Sequence, residues 1–204
     1  MIITRYGAAF VKVQQGDTIF AFNPISREYD PKAAKFGADA ALISLHDPMF
    51  NGGDNVSFGS KEPMIIDGPG EYETGGVFVR GFPSEGPDGK INTIYTTIID
   101  GIRICHLGGL AKPTLLMETA EEIGIIDVLF VPISGGQFLT PKEALKLATT
   151  LEAKIIVPVM YDGGTELKTF LKEAGNEKVE PVDKLSIKKK DVEGKEGEIV
   201  IINS

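Results

Sequence analysis

Histidine and cysteine are nearly absent from this chain: its 204 residues include two histidines, His46 and His106, and one cysteine, Cys105. Neutral imidazole nitrogens suit zinc, so a zinc centre built from several histidines is excluded. A lone cysteine forms no intrachain disulfide, and Cys105 lies in the apolar run GIRICHL, which makes it a small core residue rather than a reactive thiol. Positive charge is scarce as well. Lys and Arg number 21 against 29 Asp and Glu, a formal net charge of −8. The chain lacks the basic stripe that phosphate-backbone binding needs, so no nucleic-acid partner is expected. Its one basic cluster, Lys188-Lys189-Lys190, reads as a solvated strand end. Mean hydropathy is +0.02, and no apolar run reaches the roughly 20 residues of a membrane span, so no membrane partner is expected either. The opening stretch MIITRYGAAF has neither the charged n-region nor the long apolar core of a signal peptide. A cytoplasmic location is the resulting expectation.

What is present is a chain that is 42% hydrophobic, enough to bury a sizeable core, read most simply as one domain over residues 1–204. Residues 2–6, 9–14 and 18–22 run apolar or alternate, as in a β-meander turning near Gly16-Asp17. A mixed connection follows, with one helical turn expected near Pro31 to Phe36, and then a strand over Ala40 to Ser44. Short strands are expected at Met64 to Ile66, Tyr72 to Glu73 and Val77 to Gly81, and a loop at Phe82 to Ile91. Thr93 to Ile99 and Ile102 to Leu107 flank Asp100-Gly101, the strongest hairpin signal, because Asp-Gly supplies two positive φ angles. Helices are expected at Pro113 to Ile123, after the Thr140-Pro141-Lys142-Glu143 start, and at Thr165 to Ala174. They alternate with strands at Asp127 to Val131 and Lys154 to Val159, and Lys184 to Lys188 and Glu198 to Ile202 close the chain. Hairpins first and alternating units afterwards argue for an α/β protein.

The stretch ALISLHDPMFNGG, Ala41 to Gly53, is where chemistry would sit, because a buried strand there runs into a loop and ligands gather outside the carboxyl ends of strands. Elsewhere Asp67 and Glu71 flank a Gly-Pro-Gly turn. They read as turn chemistry in preference to an acid–base pair or a hard-cation site. Ser134-Gly135-Gly136 is a weak candidate for an anion cradle, and Tyr161-Asp162-Gly163-Gly164 reads as a loop into a helix.

Several segments in order resemble the metallo-β-lactamase fold. These are LIS running into a polar loop, IDGPGEYE at 65–73, Asn92-Thr93-Ile94-Tyr95, Ile104-Cys105-His106-Leu107-Gly108, Pro132-Ile133-Ser134-Gly135-Gly136 and Pro141-Lys142-Glu143-Ala144. The resemblance is to small bacterial hydrolases similar to the ascorbate-6-phosphate lactonase group. It implies a four-layer αββα sandwich, with two mixed sheets flanked by helices, and a homo-oligomer. Laid on the family's H-x-H-x-D-H motif, the four metal positions fall on Leu45, Asp47, Met49 and Phe50. Where the family has H-L-G-D, this chain has His106-Leu107-Gly108-Gly109, and P-M-H-Y becomes Pro158-Val159-Met160-Tyr161. The N-terminal W-x-G-H and I-D-P forms appear as Tyr6-Gly7-Ala8 and Phe22-Asn23-Pro24, and Ser84-Glu85-Gly86 lies where a further histidine is usual.

These departures imply a dismantled metal site and no catalytic residue. The expectation is a degenerate, non-catalytic protein, a pseudoenzyme, that binds a small molecule or a protein partner and needs no cofactor. Leu45, His46, Asp47, Met49, Phe50, His106, Gly109 and Met160 mark the vestigial site. The alternative is a hydrolase holding one zinc or other divalent metal through His46, Asp47 and His106.

Overall fold

A computed structural model describes residues 1–161 and 164–204, so Asp162 and Gly163 in the expected loop before the last helix lie outside the described residues. The first sheet contains β1 (Ile2–Arg5), β2 (Val11–Gln15), β3 (Thr18–Phe22), β4 (Ala40–Leu42), β5 (Met64–Ile66) and β12 (Leu185–Ser186). Its order is β12-β1-β2-β3-β4-β5, antiparallel from β12 to β3 and parallel from β3 to β5. The second sheet contains β6 (Gly70–Thr74), β7 (Val77–Glu85), β8 (Ile91–Ile99), β9 (Ile102–His106), β10 (Val128–Pro132), β11 (Ile155–Val159) and β13 (Glu198–Ile199). Its order is β13-β11-β10-β9-β8-β7-β6, antiparallel through β6 to β9 and parallel from β9 to β13.

Strand periodicity divides the core. Ile104, Val128, Phe130 and Val157 point inward to meet Ile3, Val13, Phe20, Phe22 and Leu42 of the first sheet. Their neighbours Cys105, Leu129, Val131 and Ile156 point outward, against α1 (Met117–Ile123), α2 (Pro141–Thr150) and α3 (Thr165–Glu173). β10 and β11 are buried on both faces, as parallel strands between layers must be. The expected αββα sandwich is therefore present. Its fourth layer, over Phe10, Ala21, Ala38 and Ala41, is made of irregular chain around Ile25 to Phe36 and a short 3₁₀ turn at Gly53–Val56. No helix among the described residues is long and apolar enough to cross a membrane.

Local signals were followed closely where they are self-contained. Thr140 caps α2 and Glu143 returns the bond, a complete capping box, while Asp100 (φ 53) and Gly101 (φ 72) form the hairpin turn. Differences arise where packing decides. No helical turn forms at Pro31 to Phe36, and β7 runs on through Phe82 to Glu85 instead of ending in a loop. Both follow from tertiary contact: Phe36 stacks on Phe10 at 5.7 Å, and β7 pairs with β8 from Val79 to Glu85. Helix α1 starts at Met117, four residues later than expected, with Leu116 at its N-cap and no side-chain cap.

The basic cluster is corrected too. Lys189 lies in a 3₁₀ turn, not at a strand end, with its Nζ 2.6 Å from Asp127 Oδ2. Lys154 Nζ lies 2.7 Å from the other oxygen, and the Arg103 amide donates to Asp127 at 2.8 Å. Burial alone would raise the Asp127 pKa, but bonds from Lys154, Lys189 and the Arg103 amide hold it below the usual carboxylate range. This carboxylate ties the starts of β9 and β11 to the C-terminal segment. A group whose folded pKa is depressed stabilises the protein above its unfolded pKa of about 3.9, and that contribution is lost as pH falls through the folded value. Asp127→Ala is expected to cost about 2–4 kcal/mol at pH 7. Urea denaturation checks this, and the gap to the parent protein should narrow steadily below about pH 4.

Candidate functional site

The loops after β4, β9, β10 and β11 leave the same end of the sandwich, where a ligand site would form. At its base lies His106, fully buried at the end of β9. Nε2 is 3.0 Å from the Ala9 carbonyl, which only accepts, so Nε2 carries the proton. Nδ1 then accepts from the Gly108 amide at 2.9 Å and faces Asn23 Nδ2 at 3.3 Å. The ring is stacked between Phe22 and Phe130, with centroids 5.7 and 5.3 Å away. Burial pushes the imidazole pKa down to about 3, so it stays neutral. With one nitrogen protonated onto a carbonyl and the other accepting an amide proton, His106 has no lone pair left for a metal.

Two asparagines organise the turn above it. Asn23, at φ 50, accepts from the Ser44 amide at 2.8 Å. Asn92 accepts from the Gly109 amide at 2.8 Å and donates to the Leu107 carbonyl at 2.9 Å and to Ser84 Oγ at 2.8 Å. Asn23 stands at the position where the family's I-D-P form has its Asp, and Asn92 in a segment that carries the resemblance, but neither was assigned this role by sequence reasoning. The signal was a side-chain amide beside a strand end. At Gly108, φ is +63 and an added Cβ would overlap Ser44 and Asn92, so only glycine fits this turn.

Leu45 occupies the centre. It is 2% exposed, and a Cβ built on Gly109 would overlap its Cδ1 and lie 3.0 Å from Phe50 Cζ and Phe138 Cε1. On the other side, a Cβ on Gly86 would lie 2.9 Å from Leu45 Cδ2. Leu45, Phe50 and Phe138 therefore fill the space where the family's bridging carboxylate would project from position 109. His46 is exposed. Asp47, half-buried, accepts from the Met49 amide at 3.1 Å and lies 3.6 Å from Lys90 Nζ. On the same rim, Gln137 Nε2 donates to both Asp88 oxygens at 3.1 and 3.2 Å.

The eight expected site residues thus fall into separate places. His46 and Asp47 are on the rim, Leu45, Phe50 and Gly109 form an apolar plug, and His106 is sealed in the core. Only Met49 and Met160 line an open cleft, of about 310 Å³, with Tyr29, Phe138, Tyr161 and Glu166 among its other walls. Asp67 and Glu71 lie elsewhere: the turn between them is held by the Tyr72 and Tyr95 hydroxyls donating to Gly68 and Ile66 carbonyls, and Glu71 pairs with Arg80 at 3.1 Å. No group of three His, Cys, Asp or Glu side chains among the described residues could hold a metal ion. The residues present do not fit the metal centre that the fold family implies.

The two mixed sheets and the strand-end site define the metallo-β-lactamase fold. Residues 2–160 match the family model described as the beta-lactamase superfamily domain, and the chain belongs to that superfamily. A solved structure of a Zn-dependent hydrolase of the metallo-β-lactamase superfamily from Thermotoga maritima is 31% identical, with 98% of this chain and 97% of that one covered and a TM-score of 0.81. A UPF0173 metal-dependent hydrolase from Anoxybacillus flavithermus is 28% identical over 199 residues, covering 79% of this chain and 86% of that protein. A metal-dependent hydrolase structure from Parabacteroides distasonis, 16% identical over 98% of this chain and 91% of its own, has a TM-score of 0.68 and speaks to the fold alone.

Two outcomes test this geometry. Gly109→Ala is expected to cost about 1–3 kcal/mol by overpacking, and in a Leu45→Ala background that cost should fall towards zero; chemical denaturation of the four proteins reads the coupling. The depressed pKa of His106 means that its contribution is full above about pH 6.5 and is lost as pH falls towards the folded value, since the unfolded chain binds a proton the folded one does not. Stability should therefore decline below pH 6.5 with a slope up to about 1.4 kcal/mol per pH unit. That component should be missing from His106→Gln.

Proposed function

We propose that this chain is a non-catalytic member of its superfamily that works as a binding module. The observation that carries the reading is Leu45, packed between Gly86 and Gly109 where the bridging carboxylate would project. An enzyme that hydrolyses through a metal-bound nucleophile needs open coordination positions and deprotonated ligands at that point. Here the volume is apolar, and the imidazole beside it is neutral and fully hydrogen-bonded. What is left for a partner is the adjoining cleft, with the rim that carries His46 and Asp47.

The relatives are described as metal-dependent hydrolases, and this favours a second reading: a hydrolase with one metal held by His46, Asp47 and His106. It requires the His106 ring to leave Ala9 and Gly108 and turn towards an exposed loop. Elemental mass spectrometry decides between the two. Protein purified without chelator is incubated with zinc, manganese or iron and desalted. The first reading expects near-zero stoichiometry; one tightly held metal per chain, lost in Asp47→Ala, would establish the second.

A further inference from the structure

We infer that the cleft beside the plug is a binding site for an organic cation, an ammonium group on a small apolar body; this rests on the binding-module reading above. The walls supply the apolar part. Met49 and Met160 bring polarisable thioethers, and Tyr29 and Phe138 bring aromatic rings, whose quadrupoles attract cations. Tyr161 plays a different part, because the Arg5 guanidinium already lies 4.2 Å from its ring centroid. Arg5 itself is buried, donating to the Ile202 carbonyl and to Ser204, and does not line the cleft.

Among the described residues that line the cleft, the charge has one sign: Glu166 is their only ionisable acid or base apart from tyrosine, and it makes no ion pair among the described residues. An anionic ligand would have to compete with that carboxylate. The amides at the start of α3 would ordinarily attract an anion, but Glu166 is in the first turn with Oε2 3.6 Å from where a Gly164 Cβ would lie, so that end already has its negative charge. A second polar feature lies at the wall. Ser134 lines the cleft, and its buried Oγ has no hydrogen-bond partner among the described residues, so a polar ligand group that reached it would find it unpaired. A net charge of −8 raises the local concentration of cations further.

Five methionines make the test direct. Protein labelled at the methionine ¹³C-methyl groups is titrated with benzyltrimethylammonium chloride and, separately, with sodium phenylacetate. The expected result is saturable movement of the Met49 and Met160 signals while the exposed Met64 and Met117 stay still. Binding should weaken about tenfold in Glu166→Gln, a surface change that leaves the core intact, and phenylacetate should bind more weakly than the ammonium salt. No saturable shift, equal or tighter phenylacetate binding, or an unchanged Glu166→Gln titration would overturn the inference. Metal content is read on the same sample beforehand: metal-free protein that ignores the ammonium probe overturns this ligand class alone, whereas bound metal overturns the reading on which it rests.

Discussion

The two sheets are pinned together by one neutral imidazole. His106 stands at the end of β9, reaches across the interior to the carbonyl of Ala9 between β1 and β2, and meets Asn23 just after β3. Buried polar groups are costly unless every hydrogen-bonding site is satisfied, so this arrangement fixes three loops at once. The Gly108 amide closes the turn onto Nδ1, Asn92 holds the next amide, and Asn23 holds Ser44 at the start of the loop that carries Leu45. The position of the plug is thus set from below by a polar network. Phe22 and Phe130, stacked on either side of the ring, keep water out and keep it uncharged.

Much of the fold was legible because its signals are local. The Asp100-Gly101 turn and the Thr140 capping box each specify their geometry within four residues, and the apolar run of β10 needs burial on both faces wherever it is placed. The residue types at 109 and 160 are read from the sequence directly: Gly109 has no side-chain donor, and Met160 carries a thioether where the resemblance implies an imidazole. What periodicity and motif could not give was spatial partnership. Nothing in Leu45 announces that two glycines, at 86 and 109, make room for it. Nothing in Lys189 announces an aspartate 62 positions away. His46 in its loop is exposed and His106, ending an apolar strand, is sealed in the core. The sequence around each already implies that difference, because a loop residue and an inward-facing strand residue meet different environments.

The plug also explains why the changes belong together. A carboxylate at position 109 cannot enter while Leu45 is there, and removing Leu45 alone leaves a void between Phe50, Phe138 and the two glycines. Large-to-small changes of that kind cost about 2–5 kcal/mol, a large fraction of the roughly 5–15 kcal/mol that holds a domain folded. An imidazole placed at position 45 would meet apolar neighbours, Phe50 and Phe138 among those facing Gly109, that offer no second ligand. Each single change at position 45 or 109 towards a metal ligand therefore lowers packing stability without completing a set of ligands. Apolar packing thus occupies the volume beside Gly109, and the open volume lies at the cleft lined by Met49 and Met160.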